Sequence, residues 1–370
     1  MPPKYKRLEP RSSHASPNPP ICLRFVLVAT FITLSIALFT LPSPFPPPSP
    51  PSSAPLKVLV DTDIGTDIDD TWAIAVLLSL HASKTIEIVA FLTSTFDTLG
   101  RANVLARFLT DSKAPTIPIV VGKSTPVSEA YAQAGEQAGL DYGANFDLTT
   151  YPSVILEADW FTYTTKLIDE TPDLLFLELA PPDNFAELGK SIPVVGMSGS
   201  IARGYDGISE PSVEFNVVGF EGGSTEYSCD LYKEALDLTL TPLDTCGDFI
   251  IEGSQYQQLV EQRASNPVVS AVLDHYDSWA AHDPYNGVYG PLHPGTTSTV
   301  LFDVVAVALM AQKEKVLGGD EWMRLEDMTV KIEEEGWTVQ VEEGQEGKCG
   351  GKVLEAIEWA DNGKISARQW

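Results

Sequence analysis

Ten residues near the start of the chain's acidic part could do chemistry together. They read Asp61-Thr-Asp63-Ile-Gly65-Thr-Asp67-Ile-Asp69-Asp70, five aspartates in one short turn. Carboxylates at that density repel one another strongly unless a cation neutralises them. An all-oxygen donor set suits Ca²⁺ or Mg²⁺, and the turn holds no His or Cys to suggest zinc. Gly65 supplies the backbone freedom for a sharp reversal. Asp69 and Asp70 fall where a helix should begin, and free N–H groups there favour anions. A capping loop would use one or two such aspartates, so five argue for more than a cap.

The turn must be held by the elements on either side of it. Lys57–Asp61 is a short apolar β run, and Thr71–Leu80 (TWAIAVLLSL) reads as a helix buried on more than one side. Further strands are expected at 86–92, 117–121, 174–179, 192–197 and 238–243. Helices are expected at 100–109, 160–168, around 231–236, and near 254–262, 266–280 and 300–312. Asp183 reads as the N-cap of a helix after the 174–179 strand. The last 45 residues read as extra strands, notably 328–332 and 337–341. Short apolar strands alternating with helices imply an α/β domain, an open, mostly parallel sheet with helices on both faces. Ligands in such sheets bind at the carboxyl ends of the strands, where the aspartate turn lies. The haloacid-dehalogenase type of phosphate-transfer loop, D-x-D-x-[TV], is matched only in its first half, because Gly65 stands where Thr or Val belongs.

D-x-D-x-G followed by an Asp-Asp pair and an Ala-rich helix resembles the nucleoside hydrolases of the inosine–uridine-preferring type. Three later segments are similar to that family as well. Leu174–Ala186 (LLFLELAPPDNFA) is like its apolar strand followed by x-P-x-x-N-x-A. Met197-Ser-Gly199 and Pro211-Ser-Val-Glu214-Phe215-Asn216 are like its M-x-G and P-x-x-E-F-N elements. Leu301-Phe302-Asp303 opens a helix like its late, metal-contacting one. The resemblance covers nearly all of 57–370. It implies that Asp63, Asp70, Asp303 and the Leu179 carbonyl hold a Ca²⁺ ion and that Asp63 is the general base. It further implies that Asp69, Glu214 and Asn216 orient a ribose, with Phe302 beside the leaving base. Glu214 and Asn216, two apart in what reads as an extended piece, can face the same way.

The chain also departs from the family. Its metal turn is two residues longer than the usual G-x-D-D, so alignment from Gly65 without a gap would choose Asp67 instead of the Asp69–Asp70 pair. Phe302 replaces a His that can protonate the leaving base. The Gly-Asn expected after the second strand is absent; Ser94 or Asp97 is the nearest substitute. His275, His282 and His293 are the candidate replacement acids, each more often an ordinary helix or loop residue.

The charge changes sign along the chain. Lys4, Lys6, Arg7, Arg11 and Arg24 precede or flank an uncharged run, Phe25–Leu41, while the remaining 19 basic and 50 acidic residues lie in 57–370. A surface this acidic repels phosphates, so nucleic acid is not an expected partner. The expected organisation is a basic cytoplasmic tail (1–20), a transmembrane signal anchor (21–41), a proline-rich linker (42–56) and one nucleoside hydrolase-like domain (57–370). The basic flank predicts a lumenal or extracellular domain, secreted if the segment is cleaved. A Cys229–Cys246 disulfide is one pairing open to such a domain. The homo-oligomeric state is not legible. The expected activity is Ca²⁺-dependent hydrolysis of the N-glycosidic bond of a ribonucleoside or related ribosyl compound. A catalytically silent Ca²⁺-dependent sugar binder on the same fold is the alternative.

Overall fold

The computed structural model describes residues 54–126, 137–219, 225–282, 293–317, 322–333, 336–347 and 349–359. The expected membrane anchor and most of the linker lie outside them. Among the described residues no helix is long and apolar enough to cross a membrane.

Strands β1 (Leu56–Thr62), β2 (Ile86–Thr93), β3 (Ile119–Val121), β4 (Val154–Ile155), β5 (Leu174–Glu178), β6 (Pro193–Met197), β7 (Asp237–Thr241), β8 (Met323–Ile332), β9 (Thr338–Gln340) and β10 (Gly350–Trp359) form one ten-stranded sheet. Its order is β4-β3-β2-β1-β5-β6-β7-β10-β8-β9. Every pair from β4 to β10 is parallel, whereas the β10–β8 and β8–β9 pairs at the far edge are antiparallel. The chain starts in the middle, at β1, builds outward through β4, then returns to lay β5 on the other side of β1. That reversal between β1 and β5 is the switch point at which an open α/β sheet leaves a crevice.

The helices are α1 (Asp69–Ala82), α2 (Thr98–Asp111), α3 (Gln137–Leu140), α4 (Trp160–Glu170), α5 (Asp183–Leu188), α6 (Phe215–Val218), α7 (Thr225–Glu234), α8 (Leu243–Cys246), α9 (Gly253–Gln262), α10 (Pro267–Ala280) and α11 (Phe302–Lys313). Successive strand residues point to opposite faces. Val58 and Val60 of β1 therefore enter the core under α1, α2 and α11, while Leu59 enters the one under α4, α5 and α7. Helix α1 is buried from Asp69 through Leu80, as its apolar sequence requires, because α11 packs across its outer side.

Three sequence expectations are corrected here. Asp183 does not cap α5: Pro182 occupies that place and Asp183 is the first helical residue. Glu214 and Asn216 do not share an extended piece. Glu214 is the N-cap of α6 and Asn216 lies inside that helix. The disulfide joins Cys229 to Cys349, while Cys246 stays free and buried. Cys246 sits in α8 on the opposite core from α7, so the Cys229–Cys246 pairing would have to cross the sheet.

The bridge ties α7 to the chain entering β10 across 120 residues. Constraining so long a loop limits the unfolded chain, and loss of such a bond typically costs about 2–5 kcal/mol. Cys349→Ser is expected to lower the urea midpoint accordingly, and reducing the disulfide of the wild-type protein should lower it by a similar amount.

Candidate active site

The crevice at β1 and β5 is lined with carboxylates from distant parts of the chain. Gly65 makes the turn after β1 with φ +104°, a conformation that strains any residue with a side chain. The chain then enters α1 through Asp67, Asp69 and Asp70, whose carboxylate oxygens lie within 4.8 Å of one another. The Asp69 backbone N–H donates to Asp67 Oδ1 at 3.2 Å, and that of Asp70 donates to Asp69 Oδ1 at 3.1 Å. The Thr62 hydroxyl donates to Asp70, and the Thr66 hydroxyl to Asp63 Oδ2 at 3.1 Å.

Asp303 arrives from 234 residues later. Its backbone N–H, in the first turn of α11, donates to Asp69 Oδ2 at 3.1 Å. The Asp69 carboxylate thus joins the N-termini of α1 and α11. Both helices present their positive ends to the acidic cluster.

Burial pushes the carboxyls of Asp69, Asp70 and Asp303 well above the usual range, and their neighbours' negative charges push them further. The charge of Asp63 adds to the rise at Asp70, Asp303, Asp183 and Glu214. Among the described residues Arg101 is the only buried Lys or Arg. Its guanidinium braces the turn from below. It donates to the carbonyls of Asp63, Ile64 (3.2 Å) and Thr95 (2.8 Å), and its charge holds Asp70 down. One guanidinium does not balance this many carboxylates, and a hard divalent cation fits what remains.

Deeper still, Asp61 and Glu178 lie side by side on β1 and β5. Burial and mutual repulsion raise both. Asn184 knits the strand ends together. Its amide donates to Asp61 Oδ1 and the Thr93 carbonyl, each at 3.1 Å, while its oxygen accepts from the Lys123 N–H at 3.2 Å. Leu179 sits at the end of β5, where its N–H donates to the Asp61 carbonyl at 3.0 Å.

The Glu214 carboxylate accepts from the backbone N–H groups of Gly199 (2.9 Å), Asn216 (2.9 Å) and Val217 (3.1 Å). Burial nevertheless pushes it up to about 7. The Asn216 amide donates to the Met197 carbonyl at 3.0 Å. Phe302 meets Tyr205 edge-on with ring centroids 5.8 Å apart, and the Tyr205 hydroxyl accepts from the Phe215 N–H at 2.8 Å. Tyr205 therefore links the Phe302–Asp303 side of the crevice to the Glu214–Asn216 side.

The replacement acids resolve differently. His275 is fully buried, bonded through Nδ1 to the Thr71 hydroxyl at 2.8 Å and stacked 4.4 Å from Tyr142. Burial lowers it to about 3, which leaves it neutral. His282 pairs with Asp141 at the surface, and His293 is exposed. After β2, Asp97 caps α2 by accepting from Gly100 N–H at 2.9 Å, and the buried Ser94 hydroxyl donates to the Pro181 carbonyl at 3.3 Å.

Sequence reasoning missed Arg101, Glu178 and Tyr205 and read Asp183 only as a cap. Glu178 closes β5, Arg101 and Asp183 lie on the helices that follow β2 and β5, and Tyr205 lies in the loop after β6. That position was the available signal.

A family model, the inosine-uridine preferring nucleoside hydrolase, matches residues 58–364. The chain belongs to this nucleoside hydrolase family. Its solved relatives share the fold at low identity, which makes it a divergent member. A purine-preferring ribonucleoside hydrolase from Gardnerella vaginalis is 15% identical with a TM-score of 0.56, covering 80% of this chain and 92% of its own. A plant nucleoside hydrolase is 16% identical with a TM-score of 0.58, covering 81% and 94%. The inosine-uridine preferring enzyme of Bacillus anthracis is 13% identical with a TM-score of 0.57, covering 82% and 94%. No curated protein matches the chain in sequence. Nucleoside hydrolases cleave the N-glycosidic bond of nucleosides and typically bind a metal ion, and the aspartate cluster of this chain is able to hold one.

Proposed function

We propose that this nucleoside hydrolase is a Ca²⁺-dependent enzyme that cleaves the bond between ribose and base in a ribonucleoside or related ribosyl compound. The reading rests on the hydrogen bond from Asp303 N–H to Asp69, which supports one site formed by the first helix and the last. Asp63, Asp70, Asp303 and the Leu179 carbonyl would hold the ion, with Asp67 contributing from the same turn. When bound, a divalent cation lowers the pKa of its water and grips vicinal hydroxyls. Asp63 takes the proton as water attacks C1′ and the bond to the base stretches, with oxocarbenium character at the sugar; the base leaves with the bonding electron pair and takes a proton from solvent. Asp69 and Asn216 orient the ribose, and Glu214 shapes the α6 turn that presents Asn216. Phe302 and Tyr205 pack the side where the base departs.

The domain is proposed to face the lumen or the exterior, held to a membrane by 21–41. The Cys229–Cys349 disulfide supports an oxidising compartment.

Ribose release from inosine, uridine and other nucleosides, measured with and without chelator, tests the activity. Chelator-sensitive turnover is expected. A folded, Ca²⁺-loaded protein that turns over none of them, yet binds ribose calorimetrically, would instead be the silent sugar binder.

A further inference from the structure

A second polar pair borders the site. Asp183, first residue of α5, is 5% exposed, and the charge of Asp63 acts on it. Burial pushes it up to about 7, against the pull of Lys123, the Thr95 hydroxyl and Arg101. Thr95 comes from the other side of β1, just past the end of β2. Its hydroxyl is buried and close enough to Asp183 to lower its pKa, yet it has no well-formed hydrogen bond to any group of the protein. A buried polar group left in that state is unusual and calls for an explanation, a ligand among them.

The backbone that aims Thr95 is strained. Thr95 has φ +66° and Phe96 φ +57°. A β-branched residue in the left-handed region is an outlier, and each such residue costs about 1–3 kcal/mol unless its surroundings impose it. They do so here. Arg101 Nε donates to the Thr95 carbonyl at 2.8 Å, the Phe96 N–H donates to the Thr125 hydroxyl at 2.8 Å, and Asp97 caps α2. Strain held this firmly beside a buried carboxyl points to a function for the side chain it positions.

We propose that Asp183 and Thr95 form a subsite for one hydroxyl of the substrate's sugar. Such a hydroxyl donates to the Asp183 carboxylate and accepts from Thr95 Oγ–H, so the unsatisfied hydroxyl and the carboxylate are both paired. The inference deepens the reading of the site as a ribosyl hydrolase and rests on it.

The test compares kcat/KM of the full chain with Ca²⁺ for a ribonucleoside and its 2′-, 3′- and 5′-deoxy analogues. One hydrogen bond to a charged group is worth about 10- to 100-fold in discrimination. The wild type is expected to disfavour one analogue by that factor in excess of the others. In Asp183→Ala that extra discrimination collapses: the parent nucleoside slows and the one analogue does not. Thr95→Val follows the same pattern more weakly, and Asp183→Asn, which keeps an acceptor, retains part of it. Equal slowing on all four substrates in both Asp183→Ala and Thr95→Val would mean a structural role and overturn the subsite while leaving the hydrolase reading intact. A wild type that neither cleaves any of the four nor binds ribose with Ca²⁺ would overturn both.

Discussion

Asp63→Asn is expected to lower kcat by about 10²- to 10⁴-fold, the range lost with a positioned general base. The substitution preserves shape and the oxygen that the Thr66 hydroxyl bonds, but it removes the group able to take a proton from the attacking water. Because Asp63 is also a proposed ligand, the comparison is made at saturating Ca²⁺, where the loss should remain. Ribose affinity in calorimetry should fall far less than rate, since only interactions made in the transition state lower kcat and kcat/KM together. Asp303→Asn should behave in the opposite way, with much of its activity recovered as Ca²⁺ is raised. A residual rate in Asp63→Asn within a few-fold of wild type would remove Asp63 from the role of base.

The second large effect couples metal, pH and stability. Asp183 and Glu214 are each pushed up to about 7 by burial, while the same groups in an unfolded chain titrate near 4. Between those values the folded state binds more protons than the unfolded one. Stability is therefore full below about pH 4 for these two groups and is lost as pH rises through 7. Asp69, Asp70 and Asp303, raised by the same burial, act in the same direction. Chelator-treated protein should thus melt at a lower temperature at pH 8 than at pH 5. Ca²⁺ needs the carboxylates deprotonated, so it should raise the melting temperature more at pH 8. At a hundredfold excess over Kd the gain is about 2.7 kcal/mol. Calorimetric scans at both pH values, with and without chelator, check the sign. A chelated protein that is more stable at pH 8 than at pH 5 would contradict a site of protonated, cation-demanding carboxyls.

The aspartate turn was legible because its chemistry is local. Five carboxylates in ten residues point to a cation site without any knowledge of what surrounds them, and Gly65 and the helix start at Asp69 follow from backbone preference. The strands were legible through their apolar runs, which fall within a few residues of β1, β2, β5, β6 and β7. Helix ends were less so. Asp183 reads as a cap by residue type, yet Pro182 holds that place and Asp183 is the first helical residue. Glu214 reads as part of an extended piece, yet it caps a helix and three backbone N–H groups claim its carboxylate.

What the sequence by itself determined is the donor chemistry and the periodicities, since both are properties of neighbouring residues. Tertiary structure alone decided which distant groups meet: Asp303 on Asp69, Glu178 beside Asp61, Arg101 beneath the turn, and Cys349 rather than Cys246 on Cys229. Each of those contacts is fixed by sheet order, which places β5 against β1 and lays α11 over α1. Sheet order in turn minimises a free energy summed over the whole buried core, and no local window of residues contains that sum.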